Sequence, residues 1–270
     1  MKGVILAGGA GTRLAPLTRI TNKHLLPLYD RPMVTYAVEA LVQAGFSELM
    51  LVTGGTHAGE FFRLLGNGQE YGIERLFYAY QEQPGGIAQA LGLAERFVGY
   101  DRCCVLLADN LFERSLRPVV ERFSEQARGA RVVLSPVAAE EHLRNLGVAE
   151  LDGDRIVRIV EKPAEPPTRY AVTGAYFYDE QVWEILTSLE PSSRGELEIT
   201  DLNNWYVERG EMEADVLEGF WGDAGESIEA YYAVNDFVRN GAAGVIDGGG
   251  ASRCGNADER RRWWIKSWYS

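Results

Sequence analysis

Cysteine is scarce: three in 270 residues, two of them adjacent at Cys103 and Cys104. That excludes a disulfide framework and makes a reduced, cytoplasmic protein the expectation. Histidine is equally sparse, and His24, His57 and His142 show no metal-ligand spacing. No run approaches the ~18 apolar residues of a membrane helix, so no membrane partner is expected. The start, MKGVILAGG, breaks into glycines where a signal peptide would continue. Asn-x-Ser/Thr acceptors are absent. Basic residues are outnumbered 27 to 39, a net charge of −12. This speaks against a nucleic-acid partner, which calls for a basic surface. It leaves room for a single nucleotide held by a local Lys/Arg cluster. No grouping of side chains suggests Ser/His/Asp or Cys/His covalent catalysis.

What is present is an ordinary globular composition, 46% hydrophobic and 24% charged. Short apolar runs at 2–7, 48–53, 74–79, 103–108 and 131–137 read as strands. The stretches 33–44, 57–65, 87–97 and 115–127 between them have helical spacing, and Gly45 is a stop signal. The alternation predicts an α/β fold, a Rossmann-like, mainly parallel sheet flanked by helices. After about residue 145 the rhythm changes. Strand-like segments at 147–151, 155–160 and 172–178 precede helical ones at 179–188, 198–209 and 226–239, which suggests a smaller inserted lobe. Residues 241–256 are Gly-rich and read as a linker, followed by the basic, aromatic ERRRWWIKSWYS. Every chemically motivated motif lies at or before Asp223, so residues 247–270 are expected to be dispensable for catalysis.

Strand one runs into Leu6-Ala7-Gly8-Gly9-Ala10-Gly11-Thr12-Arg13. Glycines after a buried strand let backbone N–H groups approach phosphate oxygens. The dinucleotide fingerprint fails because Leu14 stands where its third glycine belongs, and the P-loop fails because Thr12-Arg13 replaces Lys-Ser/Thr. An arginine inside such a loop suits phosphate, although a tight turn with a surface arginine reads equally well at this point. Asp109 ends the most apolar strand, where open α/β sheets place ligands. Taken alone, it reads equally as a loop or helix-capping carboxylate. Lys162, before Pro163, reads on its own as half of a solvated charge pair.

Taken together, GGAGTRLAPLT and KHLLPLYDRPM resemble the signature of the sugar nucleotidyltransferases. QEQPGGIAQA at 81–90, Glu161-Lys162-Pro163, Thr173-Gly174, RGELEITD at 194–201 and WGDAG at 221–225 are similar to the glucose-1-phosphate thymidylyltransferases of short form, in order across residues 1–240. The resemblance implies one nucleotidyltransferase domain over 1–240, with a nucleotide-binding part to about 145 and a sugar-binding part beyond it. It implies transfer of a thymidylyl group from dTTP to glucose 1-phosphate, early in dTDP-deoxysugar synthesis such as dTDP-rhamnose, by a homo-oligomer, dimer or tetramer. Arg13, Lys23 and Lys162 are the implied catalytic cations. Leu6, Gly8, Gly9, Gly11, Thr12, Gln81, Gly86 and Asp109 are the implied nucleotide contacts. Asn110, Gly147, Glu161, Thr173, Tyr176 and Arg194 join Lys162 on the sugar-phosphate side, and Asp109 with Asp223 would hold Mg2+. The chain departs from the family at Ala108, where glycine is usual. UTP or another sugar phosphate as substrate, and a catalytically silent subunit on the same fold, are the alternatives carried forward.

Overall fold

The strand without a polar side chain, Cys103–Leu107, lies in the middle of the main sheet. The computed structural model describes residues 1–9 and 11–240. The linker and tail expected at 241–270 lie outside the described residues. In chain order the elements are β1 (Lys2–Ala7), β2 (Pro27–Leu28), β3 (Arg31–Pro32), α1 (Met33–Gln43), β4 (Glu48–Gly54), α2 (Ala58–Leu65) and β5 (Arg75–Gln81). Next come α3 (Ile87–Gly92), α4 (Glu95–Val98), β6 (Cys103–Leu107), β7 (Asn110–Phe112), α5 (Arg117–Glu125), β8 (Ala130–Pro136), α6 (Glu140–Leu143) and β9 (Gly147–Asp152). The chain continues through β10 (Arg155–Glu161), β11 (Tyr170–Tyr178), α7 (Val182–Ser188), α8 (Ile199–Glu208), β12 (Met212–Val216), β13 (Trp221–Asp223) and α9 (Ile228–Arg239).

The sheet runs β10-β9-β11-β6-β1-β4-β5, with β8 pairing both β11 and β12. β6, β1, β4 and β5 are parallel, and the antiparallel β11 joins β9 and β10 to them. Alternate side chains are buried on opposite faces. Val4, Leu6, Val52, Cys103 and Val105 share one core with α7 and α8 residues such as Val182, Leu202 and Tyr206. Ile5, Ala7, Leu51, Cys104 and Leu106 share the other with Val34, Val38 and Leu41 of α1. A third cluster packs Tyr231, Val234 and Val238 of α9 on Leu14, Leu26 and Leu28. It brings the end of the described chain back over the loop that follows β1. Among the described residues no helix is long and apolar enough to cross a membrane.

Two expectations need correction. The helix at 87–97 is two helices: near Leu93 and Ala94 the backbone bonds tighten to Leu93 N–Ala90 O and Ala94 N–Leu91 O. Gly92, a weak helix former, sits at that break. The short strands β2, β3, β7 and β13 have no readable period, and β12 falls where residue spacing carries no strand signal.

The second core yields a stability test remote from the cleft. Phe123 is fully buried and packs 5.6 Å from the Phe177 ring. Phe123→Ala is expected to cost ~3–5 kcal/mol through lost burial and a residual cavity. Urea unfolding checks this, and a loss under ~1 kcal/mol would mean that the site collapses freely.

Candidate active site

β1 has β4 on one side and β6 on the other, so the chain reverses its direction of travel across the sheet there. Loops leaving the carboxyl ends of such strands part and leave a crevice. Here the crevice is a cleft of about 350 Å³. Leu6, Gly8, Gly9, Gly11, Thr12, Arg13, Lys23, Gln81, Gly86 and Asp109, expected to serve the nucleotide, line part of it. Asn110, Gly147, Glu161, Lys162, Tyr176, Arg194 and Asp223 line the rest.

Thr173 does not reach the cleft. It is fully buried, and its hydroxyl accepts a bond from Ala175 N. Along β11 the cleft takes Val172, Gly174 and Tyr176, so the intervening Thr173 faces the other way. Ala108 also faces away: its methyl lies in the core beneath the sheet while its N–H bonds Leu6 O. The departure from glycine therefore leaves the cleft open.

The two aspartates meet because β7 pairs with β13, placing Asp223 opposite Asn110. A bond from Ala224 N to Asp109 O, 2.9 Å, ties the two loops. Asp109 Oδ2 lies 2.5 Å from Lys23 Nζ, and its Oδ1 accepts from Asn110 Nδ2 at 3.0 Å. Asn110 is itself locked, because its Oδ1 accepts from Trp221 Nε1 at 2.7 Å and Gly174 N at 2.8 Å. Asp223 accepts from Gly225 N at 2.8 Å. A Cβ on Gly225 would collide with the Asp109 carboxylate and the Lys23 ammonium, so glycine keeps this junction open.

Burial works against every charge here, and the neighbours decide the outcome. Burial opposes the charge of Asp109, but the Lys23 ammonium and its hydrogen bond hold that carboxyl well below the usual range. Burial and then the charge of Asp109 push Asp223 up to about 7. Lys23 is raised despite burial because both aspartates face it. His24, which the sequence reading did not place here, lines the cleft and is lowered to about 3 by burial and by Lys23. It is a neutral imidazole at ordinary pH. One ammonium thus faces two carboxylates, and the excess negative charge suits a hard divalent cation.

Mg2+ is commonly held by one or two carboxylates, with waters and substrate phosphates completing the shell. Among the described residues no group of three or more His, Cys, Asp or Glu side chains could cage a metal. The Asp109–Asp223 pair could hold such an ion only with a phosphorylated substrate and water completing its shell.

Elsewhere in the cleft, Gln81 Nε2 donates to Gln89 Oε1 at 2.5 Å and Gly86 O at 3.4 Å, which fixes the amide plane. Gly86 has φ +96°, and a Cβ there would collide with the Leu197 carbonyl. Arg13 is exposed and has no hydrogen bond or ion pair among the described residues. Among the residues expected to serve the sugar phosphate, Glu161 Oε2 accepts from Thr200 Oγ1 at 2.6 Å while Oε1 pairs with Lys162 Nζ at 3.1 Å. Lys162 has φ +44°, a conformation uncommon for a side-chain-bearing residue. Its N–H is anchored on Leu146 O at 3.0 Å. Arg194 pairs with both oxygens of Glu198 at 2.9 Å.

The family model for nucleotidyl transferases matches residues 2–241. The chain belongs to the nucleotidyl transferase family. It is 42% identical over 243 residues to a glucose-1-phosphate thymidylyltransferase of Neisseria meningitidis, covering 88% of this chain and 83% of that one. A structure assigned as a glucose-1-phosphate thymidylyltransferase from Bacillus anthracis, in complex with sucrose, superposes with a TM-score of 0.84. It is 45% identical over 93% of this chain and 98% of its own. A UDP-glucose pyrophosphorylase complexed with UDP-glucose gives a TM-score of 0.77 at 27% identity, covering 89% of this chain and 98% of its own. Trp221, Gly225, Thr200, Asn203 and Gln89 join this nucleotidyltransferase's cleft or support it, beyond the residues expected to do so. Four of the five lie inside the recognised motifs and Asn203 falls two residues beyond one, but nothing in their spacing says which way they point.

Proposed function

We propose that this nucleotidyltransferase joins the thymidylyl group of dTTP to α-D-glucose 1-phosphate, giving dTDP-glucose and pyrophosphate. The observation that carries the reading is the charge layout of the cleft. Arg13, Lys23, Lys162 and Arg194 line one cleft with the Asp109–Asp223 pair. Lys23 is held by Asp109, Lys162 by Glu161 and Arg194 by Glu198. Two phosphorylated substrates need positioned cations for their phosphates and a carboxylate pair for a shared metal. Homologues named for this reaction, matched over most of both chains, support the same assignment.

No enzyme nucleophile is required. A sugar-phosphate oxygen attacks the α-phosphorus, and pyrophosphate leaves in line, so catalysis consists of positioning and charge stabilisation. The glycine loop offers backbone N–H groups to the triphosphate, and Arg13 meets the charge that develops on its oxygens. Lys23 holds the triphosphate beside Asp109. Gln81 and Gly86 take the pyrimidine, whose edge an amide can pair and whose ring a glycine admits. Lys162 grips the phosphate of the sugar 1-phosphate and Glu161 its hydroxyls. Asp109 and Asp223 would hold Mg2+, which supplies charge neutralisation between the two substrates.

Pyrophosphate release measured with dTTP, UTP and several sugar 1-phosphates tests the reading. The expected result is turnover with dTTP and glucose 1-phosphate, and no release with any pair would overturn it. UTP is the second reading, favoured by the likeness to a UDP-glucose enzyme, since one methyl is worth only ~1–3 kcal/mol of discrimination. Within the same assay, Lys162→Ala is expected to raise the KM for glucose 1-phosphate at least ~10-fold, with a smaller effect on dTTP. The opposite split would reassign Lys162 to the nucleotide.

A further inference from the structure

At the floor of the cleft one polar side chain is only half used. Asn203 is 1% exposed and lines the cleft from α8. Its Oδ1 accepts from the Tyr178 hydroxyl at 2.7 Å. That assigns the amide's direction, with its Nδ2 turned away from the tyrosine. Among the described residues no acceptor meets this Nδ2. With Asn203 lining the cleft, this donor is left to water or to a ligand.

Tyr178 is itself immobilised. It is fully buried, its ring stacking on Tyr176 at 6.3 Å and on Tyr206 at 5.9 Å. The amide is therefore held ready before any ligand arrives, which is how a specificity contact avoids the cost of ordering itself.

The acceptor's chemistry follows from the neighbours. Asn203 lies one turn beyond Thr200 on the same face of α8, and Thr200 donates to Glu161 at 2.6 Å. This is the half of the cleft that also holds Lys162. Ile87, Ala90 and Ile199 are apolar residues of the same cleft lining. A neutral donor beside a carboxylate and an apolar wall suits an uncharged oxygen and not a phosphate. Resting on the function proposed above, we infer that Asn203 Nδ2 donates to a ring hydroxyl of the sugar 1-phosphate. Tyr178 then acts as a positioning residue for that contact. A hexose lacking that hydroxyl leaves the amide unpaired and is rejected.

The experiment compares kcat/KM for glucose 1-phosphate and its monodeoxy analogues in the unsubstituted chain, Asn203→Leu and Tyr178→Phe, with thermal midpoints alongside. The unsubstituted chain is expected to disfavour one analogue at least ~10-fold through this contact. Asn203→Leu should bring that single ratio close to one, leaving preferences for the other hydroxyls within ~3-fold. Tyr178→Phe keeps the amide and the ring stack but frees the amide's direction. It should lower the same ratio several-fold, mainly through KM. If Asn203→Leu does not fold, the Tyr178→Phe ratio decides. Unchanged discrimination in the folded variants, or a rise confined to the KM for dTTP, overturns the inference while leaving the proposed reaction standing. Absence of pyrophosphate release by the unsubstituted chain overturns both.

Discussion

Asp109→Asn and Asp223→Asn are each expected to lower kcat on the order of 10³-fold while the protein stays folded. Asp109 is buried, Asp223 is half-buried beside it, and Lys23 bonds Asp109 at 2.5 Å. Taking one charge away removes half of the seat for the cation that must screen two phosphorylated substrates, an effect worth several kcal/mol in the transition state. Folding should not suffer in proportion. Asparagine keeps the volume, and in Asp223→Asn the loss of one of two repelling charges should hold or raise the metal-free thermal midpoint. For Asp109→Asn, Lys23 loses its buried partner, so a fall in that midpoint is expected there. Turnover and thermal midpoint on the same preparations check both statements. Full turnover in excess chelator, or with both carboxylates replaced, would remove the metal from the account.

Arg13→Ala is expected to lower kcat by ~10²–10³-fold with little change in the KM for dTTP. The guanidinium stands at the cleft with no partner among the described residues, in contrast to Lys23, which is already bonded to Asp109. A cation with no ground-state partner, placed beside phosphoryl oxygens, is felt most where their charge grows, which is in the transition state. Steady-state kinetics with dTTP varied separates the cases. A large rise in KM with kcat preserved would make Arg13 a binding residue and transfer the stabilising role to Lys23 or Lys162.

The parallel half of the fold was legible because its inner strands have both faces buried. CCVLL is apolar throughout, and KGVILA is apolar after its lysine. The glycine loop and Asp109 were legible for a related reason, since each follows directly from such a strand. The meeting of Asp109 with Asp223 was not. It depends on pairing between Asn110–Phe112 and Trp221–Asp223, three-residue strands too short to show a period. Only the family resemblance joined the two residues.

Thr173 shows the opposite case, a signal present and unread. Thr173 and Tyr176 are three apart on one strand, and a period of two cannot send both into the same cleft. The break in the helix after Gly92 is set by the bonding that tightens around buried Ala94 and its neighbour. Helical spacing across 87–97 gives no sign of it. Trp221 sits in a recognised motif and Asn203 just beyond one, yet their importance comes from what they bond, Asn110 in one case and Tyr178 in the other. Such partners are set by tertiary packing, which residue spacing does not encode.

The central claim is that a sugar-phosphate oxygen attacks the α-phosphorus of dTTP directly. It is tested most directly by the stereochemistry at that phosphorus, with dTTP made chiral by sulfur at the α-position. One in-line displacement predicts dTDP-glucose of inverted configuration. Retention would mean two displacements through a thymidylyl-enzyme and would contradict it.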